Sequence, residues 1–110
     1  MITYSDFEKV DIRVGTVIEA KLNDKSNKPS MYLVIDFGYV LGKKKTSAQL
    51  TKNYLPEKLI GIQVAAVINF PPKQIGKMVS QVLVLGFPDE DNNPVLVHPS
   101  RKISNGGKLY

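Results

Sequence analysis

The chain has 110 residues, no cysteine, one histidine and a formal net charge of +5. That length suits one domain, 1–110, and buries about two thirds of the surface of the unfolded chain, which is enough for a core without covalent staples. The composition excludes disulfides and thiolate metal sites and argues against a histidine-rich metal site.

The N-terminus and the hydropathy bear on localisation. No charged region followed by an apolar one opens the chain, and no apolar run approaches about 18 residues. We therefore expect a cytoplasmic protein that does not insert into a membrane.

A short helix and a long strand are predicted first. Ser5 and Glu8 have the spacing of a capping box and predict a helix over about residues 5–10. Residues 11–22 alternate with period two, except at Val17, and predict a half-buried strand. Gly15 inside it predicts a bend or bulge. The face predicted to be buried carries Ile12, Val14, Thr16, Ile18, Ala20 and Leu22.

Four more strands follow. A polar loop, 23–29, leads to a second strand over 31–38, whose alternate apolar residues are predicted to be buried. The third strand covers 42–49, one or two helical turns cover 51–59 with an interruption at Pro56, and the fourth and fifth strands cover 63–70 and 80–85. An acidic turn, 87–93, precedes a short apolar segment at 95–98.

The connector between the fourth and fifth strands is longer than most hairpins need, since two turn residues usually suffice. It contains Phe70-Pro71-Pro72, then Lys73 and Lys77. Prolines lack a donor and fix φ, so this segment is predicted to form one stiff, basic lip of a binding surface, with Gly76 allowing a sharp turn. The alternative is that the prolines only shape the turn.

The order of the elements predicts an all-β fold. Five strands with a short helix between strands three and four match a five-stranded OB-fold barrel, here with N- and C-terminal extensions. An SH3-like barrel is the alternative from the pattern alone.

The positive charge is concentrated in the middle of the chain. Residues 38–88 hold seven lysines and one acid, Glu57, whereas 1–37 and 89–110 are close to neutral. The lysines are Lys43, Lys44, Lys45, Lys52, Lys58, Lys73 and Lys77. They form either a solvated surface or the footprint of an anionic partner such as nucleic acid.

The residues that could support catalysis or bind a metal are few. His98 is the only histidine, and no G-x-S-x-G or phosphate-cradling glycine motif is present. Asp89-Glu90-Asp91 lacks the spacing of an EF-hand. We therefore predict a protein that is not an enzyme and needs no cofactor or metal.

Three ordered motifs resemble one family. Asp11-Ile12-Arg13-Val14-Gly15, Pro56-Glu57-x-Leu59-Ile60-Gly61, and Asn69-Phe70-Pro71-Pro72-Lys73-Gln74-Ile75 with Ser80-Gln81 resemble the tRNA-binding domain of methionyl- and phenylalanyl-tRNA synthetases. Further segments are similar to its stand-alone branch, the CsaA family: Val34-Ile35-Asp36-Phe37-Gly38, Ser47-Ala48-Gln49 and Asn105-Gly106.

This resemblance implies a homodimeric OB-fold chaperone that assists protein export by binding unfolded or preprotein polypeptide. It also implies the alternative of tRNA bound in an electropositive groove. The tRNA-binding relatives carry Ser-Glu-Gly-Met where this chain has Ser80-Gln81-Val82-Leu83. That departure favours polypeptide as the partner.

The predicted site combines the connector, the basic strand and the first motif. Arg13 is predicted either to join this surface or to pair with Asp11 or Asp36. Phe70 and Tyr54 are the aromatic candidates for stacking on bases, but each is expected to pack in the core or against the helix instead. The residues predicted to bind peptide or RNA are Arg13, Lys43, Lys44, Lys45, Ser47, Gln49, Asn69, Phe70, Pro71, Lys73, Gln74, Lys77, Ser80 and Gln81.

Both ends of the chain carry apolar residues beyond the needs of a five-stranded barrel. We expect these residues to pair across a two-fold axis in a homodimer. They are Met1, Ile2, Tyr4, Phe7, Leu96, Ile103, Leu109 and Tyr110.

Overall fold

A curled antiparallel sheet of five strands forms the body of the protein, seen in a computed structural model that describes residues 1–23 and 29–110. Its strand order is β3-β2-β1-β4-β7, and two small hairpins, β5-β6 and β8-β9, flank it. The elements are α1 (Tyr4–Glu8), β1 (Ile12–Asn23), β2 (Ser30–Asp36), α2 (Gly38–Leu41), β3 (Lys43–Ala48), α3 (Pro56–Leu59), β4 (Gln63–Val67), β5 (Lys73–Ile75), β6 (Met78–Ser80), β7 (Leu83–Val84), β8 (Gly86–Pro88) and β9 (Pro94–Leu96).

The predicted all-β architecture is confirmed, with α3 placed between β3 and β4 as an OB-fold requires. Of the predicted polar loop 23–29, residues 24–28 lie outside the described residues. Within the described ranges, no helix has the length and apolar character needed to cross a membrane.

The core is built around β2. Met31, Leu33, Ile35 and Phe37 are all at most 1% exposed, which confirms their predicted burial. A Cβ added to Gly15 would lie 2.6 Å from Ile35 Cγ2 and 2.8 Å from Phe37 Cδ1. Glycine is therefore needed in β1 to let these two side chains pack.

The predicted buried face of β1 was only partly right: Val14 is buried, but Ile18 and Leu22 are 39% and 59% exposed. The pairing register with β2 shifts between Val17 and Glu19, two residues after Gly15, where the bulge was expected. Before this bulge Gly15 and Val17 face the core, so Val17 is fully buried, whereas Val14 on the opposite face is covered by the C-terminal segment. After it the alternation reverses, and Ala20 packs against the core.

Both predicted helices change their boundaries. Thr3 caps α1: its Oγ1 accepts from the Asp6 N–H at 3.2 Å, and Asp6 Oδ2 accepts from the Thr3 N–H at 3.0 Å. The capping box therefore lies two residues before the predicted Ser5–Glu8 pair. Pro56 begins α3 instead of interrupting it, because proline suits the first helical position.

The connector itself folds into strands. β4 ends at Val67, not at residue 70, and β5 pairs with β6 around the two-residue loop Gly76-Lys77. Gly76 has φ 62°, the sign that a type II′ turn needs at its first central residue, so the predicted sharp turn is confirmed. The predicted fifth strand is split into the end of β6 and β7.

Side chains close the barrel between β3 and residues 80–82, a contact that we call the seam. One backbone hydrogen bond crosses it, from the Gln81 N–H to the Lys45 carbonyl at 2.9 Å. Gln81 Oε1 accepts from the Lys45 N–H at 2.9 Å, and Ser80 Oγ accepts from the Ser47 N–H at 2.8 Å. Thr46 Oγ1 donates to the Val82 carbonyl at 2.8 Å.

The C-terminal segment runs beside the first half of β1. Val14 N–H donates to the Gly107 carbonyl at 3.1 Å, and Gly106 N–H donates to the Val14 carbonyl at 2.8 Å. Leu109 N–H donates to the Ile12 carbonyl at 2.8 Å. The predicted C-terminal extension is thus joined to the sheet edge that β2 leaves free.

Candidate functional site

A groove of about 690 Å³ lies between the β5-β6 hairpin and the seam. Seven of the predicted site residues line it: Ser47, Phe70, Pro71, Lys73, Gln74, Ser80 and Gln81. The remaining lining residues are apolar: Pro72, Ile75, Val82 and Leu83. The structure therefore brings together half of the predicted residues, from three separate parts of the chain.

The walls of the groove are apolar and exposed. Phe70 is 54% exposed, Leu83 49% and Ile75 42%, while Val82 is buried beneath them. Phe70 therefore lies in the groove and not in the core. Tyr54, the other aromatic candidate, packs against the core, and its hydroxyl accepts from the Leu96 N–H at 2.9 Å.

One side of the groove is an open strand edge. β5 pairs with β6, and no other strand in the described ranges pairs with its far side. In this hairpin Ile75 and Met78 flank the loop, so the backbone groups of Gln74, the middle residue of β5, point away from β6. An extended chain could pair with this edge.

Ser80 and Gln81, two of the polar residues that line the groove, form hydrogen bonds across the seam. Ser80 Oγ and Gln81 Oε1 both accept hydrogen bonds from the backbone of β3. A glutamate at position 81 would offer the same accepting atom to the Lys45 N–H. The Gln81 side chain therefore contributes to barrel closure as well as to the wall of the groove.

The predicted lysines surround the groove unevenly. Lys73 lines it, Lys77 lies at the tip of the hairpin, and Lys45 is bonded through its backbone to Gln81. Lys43 and Lys44 lie farther along β3, opposite Asp36 and Ile35. None of these five lysines forms an ion pair with any residue of 1–23 or 29–110. Their positive charge is uncompensated there.

Three predicted residues lie away from the groove. Arg13 Nε contacts Asp11 Oδ1 at 2.6 Å, and its Nη1 donates to the Gly106 carbonyl at 2.9 Å, so Asp11 and not Asp36 is its partner. Asn69 donates to the Lys9 carbonyl at 2.7 Å and accepts from the Asp11 N–H at 3.0 Å. Gln49 is exposed beyond the end of β3.

These contacts give Arg13 and Asn69 a structural role in fastening the two ends of the chain, and their role in binding stays a prediction. The site prediction missed Pro72 and Ile75, which lay in the connector, and Val82 and Leu83, which had been assigned to the fifth strand. Met78, which pairs with Ile75 in the hairpin, does not line the groove. The folded hairpin places Pro72 and Ile75 in one groove with Val82 and Leu83, which follow it in the chain.

The possible catalytic and metal-binding groups take structural positions. His98 Nδ1 lies 2.6 Å from the Gln63 carbonyl. Asp89 accepts hydrogen bonds from the Asn93 backbone N–H, the Asn53 side chain and the Asp91 N–H, and these bonds lower its pKa. Its carboxylate therefore holds the acidic turn in place. The described residues contain no group of three or more His, Cys, Asp or Glu placed to hold a metal ion.

Residues 12–108 match a family model described as a putative tRNA binding domain. The chain is similar to the methionine–tRNA ligase of Porphyromonas gingivalis, with 32% identity over 98% of this chain and 15% of the ligase. It is 36% identical to the ligase of Methanococcoides burtonii over 100% of this chain and 16% of that protein. The chain thus spans less than a fifth of the length of these relatives.

Two solved structures are similar over the full chain. The chaperone CsaA from Bacillus anthracis matches with a TM-score of 0.94 and 45% identity, covering 100% of this chain and 99% of that one. The CsaA chaperone protein from Picrophilus torridus gives 0.92 and 44%, covering 100% of both. The chain therefore belongs to the putative tRNA-binding domain family and, within it, to the CsaA family.

Proposed function

We propose that this protein is a non-enzymatic chaperone of the cytoplasm that assists export by binding extended segments of unfolded or preprotein polypeptide. The observation that carries the proposal is the exposed apolar wall of the groove beside an unpaired strand edge. The similarity to proteins described as CsaA chaperones supports it.

The groove offers an extended peptide two kinds of contact. The edge of β5 can exchange backbone hydrogen bonds with it, and Phe70, Ile75 and Leu83 can cover alternate side chains. Completing the burial of each of these half-exposed side chains contributes on the order of 1 kcal/mol. Pro71 and Pro72 restrict the wall beforehand, so that less ordering entropy is lost on binding.

We also propose that the protein is a homodimer joined through its chain termini. Met1, Ile2, Tyr4, Leu109 and Tyr110 are exposed, and the terminal segments form a cavity of about 250 Å³. Leu96 does not contribute as predicted, because it is 5% exposed and belongs to the core. Light scattering should give twice the chain mass of 12.2 kDa. A monomer at micromolar concentration contradicts the dimer.

tRNA is the second candidate partner. The match to a tRNA-binding domain and the uncompensated lysines on and near the groove favour it. Lys73 and Lys77 extend along the hairpin, and Lys43 and Lys45 continue along β3. Such a track suits a phosphate backbone, and it makes binding depend steeply on salt.

A competition over a salt series separates the two partners. Bulk tRNA and an unfolded preprotein are offered to the same sample between about 50 and 300 mM salt. RNA binding should fall with a log–log slope of about −0.7 per phosphate neutralised on single strands. Peptide binding through apolar burial should barely change.

Variants assign each activity to its residues. Phe70→Ala should weaken peptide binding by about fivefold, since it removes most of one apolar wall. The matched control is Phe87→Ala, which removes an exposed phenylalanine outside the groove. K43A/K44A/K45A should remove most RNA binding and spare peptide binding. Salt-resistant tRNA binding with no affinity for unfolded chains means that the partner is tRNA.

A further inference from the structure

A third cavity, of about 430 Å³, lies at the start of β4, away from the groove. Its lining residues are Gly61, Ile62, Gln63, His98, Pro99, Arg101 and Lys102. We propose that this cavity binds a phosphodiester group of RNA, and that acidification strengthens the binding through His98. The proposal rests on RNA, the second candidate partner, and not on peptide binding in the groove.

A loop over residues 98–103 carries His98, Arg101 and Lys102. Gln63 holds one end of this loop through its backbone carbonyl and the other through its side chain. At its start, His98 Nδ1 lies 2.6 Å from the Gln63 carbonyl. At its end, Gln63 Nε2 donates to the Ile103 carbonyl at 2.6 Å, and Gln63 Oε1 accepts from the Ile103 N–H at 3.0 Å. Arg101 and Lys102 are therefore presented by a loop whose ends are already ordered.

The contact with Gln63 fixes the proton on the imidazole. A carbonyl only accepts, so His98 Nδ1 must donate, and in the neutral ring Nε2 has no proton. Nε2 has no partner among residues 1–23 and 29–110. When the ring gains a proton, Nε2 becomes a second donor and the ring becomes a cation, without disturbing the bond to Gln63.

His98 lines two cavities of the described chain, and their charged side chains are all cationic. This cavity has Arg101 and Lys102, and the other has Lys108 and Arg13, which is paired with Asp11, together with the phenol of Tyr110. Arg101 and Lys102 are exposed and have no ion-pair partner in the described part of the chain. The lining residues from the α3–β4 turn and from β4 are uncharged: Gly61, Ile62 and Gln63. Among residues 1–23 and 29–110, no carboxylate lines this cavity to neutralise the cations.

A phosphodiester fits this arrangement better than a carboxylate does. Its oxygens point in several directions, so a guanidinium, an ammonium and an imidazolium can donate to it together. The lysines of residues 38–88 would give the same RNA further contacts, whereas they give a single lipid headgroup none. RNA is therefore the source that the charges favour.

The test uses the isotope-labelled full chain and sodium dimethyl phosphate, which stays a monoanion over the relevant pH range. Backbone amide shifts are followed at pH 5.5 and 7.5, with ionic strength held constant by sodium chloride. We expect shifts confined to residues 61–63 and 98–103, and binding at least about fivefold tighter at pH 5.5, since hydrogen bonds to charged groups are the stronger ones. Shifts spread evenly over the lysines contradict the site.

Three variants separate the parts of the proposal. His98→Asn keeps a donor for the Gln63 carbonyl. In this variant the affinity for dimethyl phosphate should be about the same at pH 5.5 and at pH 7.5. R101A/K102A should weaken binding about tenfold at both pH values, whereas K43A/K44A, which removes the same charge elsewhere, should leave this cavity unchanged. If the affinity of His98→Asn still rises at pH 5.5, the proposed role of His98 is wrong. If R101A/K102A binds as tightly as wild type, the cavity is not the phosphodiester site.

The source of the phosphodiester is tested with two larger probes. A uridine 12-mer should shift the same amides, and R101A/K102A should suppress those shifts. Vesicles containing phosphatidylglycerol should not sediment the protein more at pH 5.5 than at 7.5. The proposal for RNA is contradicted if vesicles sediment the protein through Arg101 and Lys102 while the uridine 12-mer leaves these amides unshifted. That outcome would assign the cavity to a lipid headgroup.

Discussion

Polar side chains in the groove and on the terminal face differ in how far away in sequence their hydrogen-bond partners lie. By the terminal face we mean the first half of β1, Gln63 and residues 103–109. Gln63 is 7% exposed, and its side chain forms three hydrogen bonds to residues at least 40 positions away in sequence. Gln74 in the groove is exposed, and within the described ranges its side chain bonds only to the Gly76 carbonyl, two residues away.

The same contrast holds for the charged residues. Arg13 is committed to Asp11 and to the Gly106 carbonyl, whereas Lys73 and Lys77 have no ion-pair partner in the described ranges. Groups satisfied by distant segments hold the fold together, because removing them leaves buried partners unpaired. Groups that are left exposed beside an apolar wall remain available to a ligand. The predictions below test this division.

Adding one methyl group in each region should give the largest difference. Gly106 has φ 94°, and an added Cβ would lie 2.6 Å from the Phe37 carbonyl oxygen, which belongs to the backbone and cannot turn away. We expect Gly106→Ala to lower the free energy of unfolding by roughly 3 kcal/mol or more. Gly76→Ala meets open space at φ 62° and should cost about 1–2 kcal/mol for the backbone conformation alone. Urea unfolding measures both, and equal losses contradict the comparison.

Truncating the two glutamines gives the next largest difference. Gln63→Ala should lower the free energy of unfolding by about 2–3 kcal/mol, because the Ile103 N–H and carbonyl lose their partners. Gln74→Ala should change it by less than about 0.5 kcal/mol, since the side chain is exposed. The same urea experiment compares them. A similar loss for Gln74→Ala would mean that the hairpin is part of the cooperative core.

The seam should give an intermediate effect. Ser80→Ala removes the acceptor for the Ser47 N–H and should cost about 1–2 kcal/mol. Ser100→Ala, at an exposed position, is the control. Amide exchange should also rise at Ser47 in Ser80→Ala, because that donor loses its partner. Unchanged protection there would show that another group closes the barrel.

Replacing Gln81 by Glu should have a small effect. The accepting oxygen for the Lys45 N–H is retained, so the free energy of unfolding should stay within about 0.5 kcal/mol. That oxygen is already engaged, so the residue found in tRNA-binding relatives should not increase tRNA affinity. A rise in tRNA binding in Q81E would show that this position selects the partner.

The acidic turn lies outside both regions and should contribute least. The Asn93 backbone N–H and the Asn53 side chain lower the pKa of Asp89, so the folded state binds its proton less readily than the unfolded chain does. Its stabilisation is therefore present above the ordinary range for aspartate and is lost as pH falls through the lowered pKa. The Tm difference between wild type and Asp89→Asn should shrink from pH 7 towards pH 3. A constant difference contradicts this.

The sequence by itself determined the features that depend on near neighbours. Alternation along 31–37 predicted the buried residues of β2, and Gly76 predicted a sharp turn where the II′ loop lies. The position of a helix between the third and fourth strands predicted the OB-like barrel. The three ordered motifs indicated the family. Each of these is set within a few residues, where side-chain period and backbone freedom act.

Only the tertiary structure decided how distant segments share their hydrogen bonds. The bulge at Val17–Glu19 arises where β1 passes from β4 to β2, so the reversal of its buried face is not set by the period of the strand. Arg13 pairs with a carbonyl 93 residues away, and Asn69 with one 60 residues away. Both residues were predicted to bind a ligand. The structure shows that each also fastens distant parts of the chain, because its partner lies far away in sequence.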